Sequence, residues 1–257
     1  MRALALTAAL LLCASGARGQ EYVDALSVLA AGGGGGGPAA PPTYGGDSNV
    51  SGTASACTPG EPTGSATGDL ILYVIETIDT QAGALVSGEW TQVTGSPIDN
   101  ASDTRLTVFY TVHDGSVDYT NTDAGDHNLC VTIRLATSGT FNSSSPFDQW
   151  AEGTESATTS LSMPDVTLTE ANQLVLSCVS GEGVYSNGDN LEFSSWTNGN
   201  LSSVTEIADR RDAAGADAAI GCVIGTAASS GAVGNTTATA ATSDNRAKFT
   251  LSVRGAP

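Results

Sequence analysis

Acidic side chains dominate the chemistry open to this sequence: 27 Asp and Glu stand against two His and five Cys. Hydrolysis of a glycosidic bond asks for two carboxylates facing each other across a cleft. Glu76, Glu89, Glu182 and Glu192 lie near the ends of apolar runs, where such a pair could converge. Acyl transfer by a Ser-His-Asp set asks for a serine on a sharp turn and a histidine oriented by a carboxylate. The chain has no Gly-x-Ser-x-Gly, and its histidines, His113 before Asp114-Gly115 and His127 within Asp126-His127-Asn128, read as polar loop residues. A hard cation is the better match: Asp118, Asn121, Asp123 and Asp126 gather oxygen donors in one turn-prone loop, as calcium requires. The spacing is not that of an EF-hand, and a solvated hairpin loop explains the same residues. No other cofactor is expected.

Cysteine chemistry points to structure. Cys13 lies in the apolar N-terminal run, leaving Cys57, Cys130, Cys178 and Cys222, an even number with no Cys-x-x-Cys spacing. Two disulfides are expected; of the three possible pairings, Cys178 with Cys222 and Cys57 with Cys130 is preferred, the former falling within one half of an internal repeat. Asn49, Asn100, Asn142, Asn200 and Asn235 each open an Asn-x-Ser/Thr sequon in a loop-like context, so each is a candidate glycan acceptor in a host that glycosylates.

The elements that must position these groups begin after a leader. Residues 1–19 carry a basic start, a short apolar run and small residues before Gln20, the pattern of a removed secretory signal; Leu12 before Cys13 argues against a lipid anchor. Residues 20–31 form a short apolar segment, and residues 32–46 a Gly/Pro-rich linker that opens with six glycines. A tethered apolar segment is either a frayed terminus or a strand donor: Tyr22, Val23, Leu26, Val28 and Leu29 would line an assembly contact along a sheet edge, of this domain or of a neighbour.

From residue 47 to 257 the pattern is β. Short runs rich in Val, Ile, Leu and Thr are parted by Gly, Asn, Asp, Ser and Pro clusters, and Thr104–Val112 alternates strictly, with Leu106, Val108, Tyr110 and Val112 on one face. Ser203–Ala213 reads as a turn of helix or an added strand. The chain also repeats itself: Gly68-Asp69-Leu70-Ile71-Leu72, Trp90-Thr91, Gly115-Ser116-Val117 and Cys130-Val131-Thr132-Ile133-Arg134-Leu135 return as Asn172-Gln173-Leu174-Val175-Leu176, Trp196-Thr197, Gly231-Ala232-Val233 and Phe249-Thr250-Leu251-Ser252-Val253-Arg254. The expected fold is an all-β antiparallel sandwich or jelly roll of two half-repeats, about 68–137 and 172–254, joined by a crossing over the end of the sandwich. Trp90 and Trp196 are expected as plugs between the sheets.

The order Gly-Asp-Leu-Ile-Leu, Trp-Thr, Arg-Leu-Thr-Val-Phe-Tyr-Thr-Val and Ser145-Pro146-Phe147-Asp148 resembles β-sandwich, jelly-roll-like domains of phage tail and bacterial extracellular structural or adhesive proteins. The resemblance spans Gly68 to Asp148 and more loosely Met163 to Arg254; it implies a structural or adhesive role without catalytic residues.

Without Arg2 and Arg18, seven basic residues face the 27 acidic ones, a formal charge of −20. Such a surface repels phosphate backbones and anionic headgroups, so neither nucleic acid nor an anionic membrane is an expected partner. The function expected is that of a secreted or cell-surface, non-enzymatic structural or adhesive protein, a filament or coat subunit assembling with itself or another structural subunit. The alternatives are a carbohydrate-binding module presenting Trp150, Tyr185 and Trp196 to glycans, and a glycan-active hydrolase.

Overall fold

The computed structural model describes residues 40–53, 57–78, 83–85, 88–100, 103–121, 127–142, 144–182, 192–212 and 218–255, with backbone alone at 49–53, 127, 182 and 212. The expected segment Tyr22–Leu29 therefore lies outside the described residues. The unit described belongs to residues 38–257.

Two antiparallel sheets make the fold. The first holds β1 (Thr43–Thr53), β2 (Leu70–Ile78), β3 (Thr91–Gln92), β4 (Ile98–Asn100), β5 (Thr104–Val112) and β6 (His127–Ala136), in the order β1-β6-β2-β5-β3, with β4 also on β5. The second contains β7 (Phe147–Ser162), β9 (Gln173–Glu182), β10 (Phe193–Thr197), β11 (Ser202–Asp212), β12 (Ala218–Ala227) and β14 (Thr237–Val253), in the order β10-β14-β9-β12-β11, with β7 on β14. β8 (Thr167–Leu168) and β13 (Gly231–Ala232) form a small separate pair. The described residues contain no helix.

Each half-repeat supplies one sheet, and corresponding strands take corresponding places. β1-β6-β2-β5-β4 runs parallel in plan to β7-β14-β9-β12-β11. The backbone repeats with it: Gly68 and Asn172 both take a left-handed conformation one residue before the buried Asp69 and Gln173 that lead into β2 and β9, and Gly115 and Gly231 share φ values of 109° and 112°. Asn is the non-Gly residue best suited to that region, which explains how the second copy dispenses with glycine.

The core lies between the sheets. Leu70, Leu72 and Val74 of β2, with Leu106 and Val108 of β5, share one cluster with Leu174, Leu176 and Cys178 of β9 and Phe249, Leu251 and Val253 of β14. The alternation of β5 is thus explained, since Tyr110 and Val112 pack against the same cluster. β2 is buried on both faces, because Ile71, Tyr73 and Ile75 are covered by a second cluster with Cys57, Phe109, Tyr119 and Cys130. A strand covered twice must be apolar throughout, and Leu-Ile-Leu-Tyr-Val-Ile is.

Three expectations are corrected. β1 begins at Thr43, inside the stretch assigned to the linker, because Gly45-Gly46 sit in a bulge of the β1–β6 pairing and do not end it. The link between halves is mostly strand: the chain crosses over residues 137–146, and the alternating Thr154–Ser162 stretch continues as β7 along β14. The tryptophan equivalence does not survive pairing, since β3 pairs with β5 whereas β10 pairs with β14. Ser202–Asp212 is a strand, deciding between helix and strand for that segment.

Candidate functional site

The most charged interior point is at β10 and β14. Arg246 and Glu192 are 0 % and 1 % exposed and form an ion pair of 2.8 Å. The same guanidinium nitrogen donates to the carbonyl and hydroxyl of Thr242, and the group lies 5.1 Å from the Phe193 ring centroid. Glu192 Oε1 also accepts the amide and hydroxyl of Thr242 at 3.1 and 2.6 Å. Gly181 makes the space, as a Cβ there would collide with Arg246 Nη1. Behind the pair, Asp209 accepts the backbone N–H groups of Glu192 and Phe193 at 3.2 and 3.1 Å. Burial pushes its carboxyl up to about 6, against the pull of the Phe193 amide, with Glu206 and Glu192 adding to the rise. Together these contacts tie the start of β10 to β11 and β14.

Two of the other candidate carboxylates, Glu76 and Glu89, are also engaged. Glu76 is fully buried and accepts the Thr104 hydroxyl at 2.9 Å; Thr104 in turn meets Ser180 at 3.0 Å, and Ser180 donates to the Ala247 carbonyl. This hydroxyl chain links the two sheets. Glu89 is exposed and accepts the Asp118 amide, and the Glu182 side chain lies outside the described residues. His113 is buried with Nε2 3.0 Å from a Glu61 carboxylate oxygen, while its backbone pairs with Gly68 and Asp69 at the start of β2. The His127 side chain is not described.

The two described residues of the calcium set, Asp118 and Asn121, turn to different partners. Asn121 is fully buried, its amide oxygen accepting the Cys57 N–H and its nitrogen lying 3.7 Å from Cys130 Sγ. It is a lock on a cysteine pair, whereas Asp118 is exposed and caps Thr120 at 2.9 Å, the backbone bond holding its carboxyl below the usual range. Asp123 and Asp126 lie outside the described residues, among which no group of three or more His, Cys, Asp or Glu is gathered for a metal.

The cysteines stand in the expected pairs. Cys57 and Cys130 are at disulfide distance with Cα atoms 6.2 Å apart, and Cys178 and Cys222, directly opposed on β9 and β12, with Cα atoms 4.2 Å apart. Two such pairs suit an oxidising, extracellular environment.

Neither Trp90 nor Trp196 is a plug between the sheets; Trp150 is the tryptophan that packs against the inter-sheet core. Trp90 packs on the outer cluster of the first sheet, edge-on to Tyr73 and Tyr119, and donates to the Asp118 carbonyl at 2.8 Å. Trp196 packs beside Phe193 and donates to Glu206 at 2.6 Å. Trp150 stacks on Phe249 at 4.8 Å and donates to Glu152. Tyr185 lies outside the described residues. What sequence reasoning missed is that both sheets carry apolar clusters on their outer faces; the uninterrupted Leu70–Ile75 run was the available signal.

Positive charge is consumed internally. At least six of the seven basic residues after residue 19 form ion pairs: Arg105 with Asp99, Arg134 with Asp69, Arg210 with Asp47, Arg246 with Glu192, Lys248 with Glu155 and Arg254 with Asp148. Open depressions of about 370 and 240 Å³ lie at loops, the larger beside Phe141, Asn142, Pro146 and Arg254, the smaller beside Asn200 and Ala227–Val233.

No known protein family matches this chain, and neither a curated protein nor a solved structure matches it.

Proposed function

We propose that this chain is a secreted, non-enzymatic structural subunit of an extracellular filament, coat or adhesive layer, in which the apolar segment around Tyr22–Leu29 of one copy adds as a strand to the β1 edge of the next. One observation carries the reading. β1 pairs with β6 through Gly46–Thr53 without a register shift, and among the described residues no strand pairs with its other side. A regular, unpaired edge is a template for another strand.

The competing long edges are guarded. β7 and β11 each pair on one side too, but their ladders are broken by register shifts, three along β7 and two along β11. Bulges of this kind discourage strand addition. β1 has one shift, at Tyr44/Gly46, and no Lys, Arg or Pro over Gly46–Thr53. The non-enzymatic part of the reading draws support from Glu76 and Glu192, both buried and engaged by Thr104 and Arg246 respectively, and the resemblance to tail and surface sandwiches points the same way.

Deleting residues 21–31 tests it. The truncated protein is expected to keep its unfolding midpoint and lose all higher-order species in analytical ultracentrifugation. An unfolded truncation would assign the segment to the interior of its own domain, and an unchanged oligomer distribution would sink strand donation.

A further inference from the structure

We propose that Asn142 is the glycan attachment site of this fold, and that the sequons at Asn100, Asn200 and Asn235 are structural amides that carry no sugar. N-linked attachment uses the Asn side-chain nitrogen and places a bulky hydrophilic group there, so the nitrogen must face open solvent in the finished fold. At Asn100 it does not. This residue, expected in a loop, lies on β4 of the first sheet, and its amide nitrogen donates to the carbonyls of Glu155 on β7 and Arg246 on β14 at 2.8 and 3.0 Å. A sugar on that nitrogen would be wedged between the two sheets and, since the linkage keeps only one N–H, would leave one of the two carbonyls without its donor. The amide nitrogen of Asn200 donates to the Val233 carbonyl at 2.9 Å, and that of Asn235 to the Met163 carbonyl at 2.6 Å; both residues are on the surface, yet both turn this atom inward.

Asn142 is built the other way round. Its oxygen accepts the Ser144 N–H at 3.0 Å, closing a local turn and directing the nitrogen away from the backbone. The residue is exposed and borders the depression of about 370 Å³ with Ser145, Pro146, Glu170 and Arg254, which leaves room for the first sugar ring beside polar partners. The Asn49 side chain lies outside the described residues and takes no part in the argument.

The test directs the full chain through the secretory pathway of insect cells and maps the soluble product by peptide N-glycanase (amidase) release in ¹⁸O water, which converts every formerly occupied Asn to ¹⁸O-marked Asp. Asn142 is expected to be marked, and Asn100, Asn200 and Asn235 unmarked. Ser144→Ala, which destroys the sequon but keeps the backbone N–H that Asn142 accepts, should lower the intact mass by one glycan and leave the unfolding midpoint unchanged. An unmarked Asn142, or a marked Asn100, Asn200 or Asn235 in the soluble product, would overturn the proposal.

Discussion

Asp209 shows how a single carboxylate can store instability at neutral pH. In the fold its carboxyl titrates near 6, because burial raises it more than the Phe193 and Glu192 amides lower it, whereas in the unfolded chain it titrates near 3.9, as an ordinary Asp does. Between these values the folded form holds a proton that the unfolded form has released, so stability rises as pH falls from above 6 to about 4 and is constant beyond either limit. The full shift would be worth about 3 kcal/mol; allowing for screening at a group partly open to water, about 1–2 kcal/mol is expected. Asp209→Asn should therefore unfold at higher denaturant than the parent at pH 7.5 and show no advantage at pH 4. A difference that stays constant across that range would mean that the substitution acts through packing or hydrogen bonding and not through charge. Arg134 of β6 and Arg254 just after β14 reach Asp69 and Asp148.

At the scale of elements, the cysteine pairs fasten different things. Cys178 and Cys222 join neighbouring strands within the inter-sheet core, while Cys57 and Cys130 tie the segment after β1 to β6 over the outer face, where Asn121 binds both ends of the pair. With sequence separations of 44 and 73 residues, loop entropy makes each bridge worth about 4 kcal/mol. Cys178→Ala with Cys222→Ala is expected to lower the oxidised protein's unfolding free energy in guanidinium by at least that much, and an unchanged midpoint would show that no bridge forms there. Much of this level was legible beforehand. Periodicity exposed β5, the echo of Gly68–Leu72 in Asn172–Leu176 exposed the twofold plan, and cysteine positions within the repeat gave the pairs. What periodicity cannot convey is which side of a strand faces a second cover: Trp90 and Trp196 were placed between the sheets because an outer apolar layer leaves the same pattern as an inner one. Nor does composition tell a cation-binding or sugar-bearing asparagine from one whose amide is spent on backbone, as Asn121 and Asn100 illustrate in turn.

At the scale of the whole molecule, the charge problem sets how copies of this protein can meet. A formal −20 remains once the leader is excluded, and at least six of the seven cations are locked in pairs within the fold, so few are left to bridge to a neighbour. Two such surfaces repel, and a contact made through backbone hydrogen bonds and apolar side chains along β1 is one way to associate without charge complementarity. Screening then governs both folding and assembly, since the Debye length falls from about 30 Å at 0.01 M to about 3 Å at 1 M salt. Sodium chloride raised from 10 mM to 0.5 M is expected to increase the unfolding midpoint by several degrees and to shift sedimentation toward larger species. A midpoint that falls instead would mean that screening of the ion pairs outweighs relief of the repulsion. Calcium chloride at matched ionic strength should do no more than sodium; an extra gain with calcium that Asp123→Asn and Asp126→Asn remove would place a cation at those two residues.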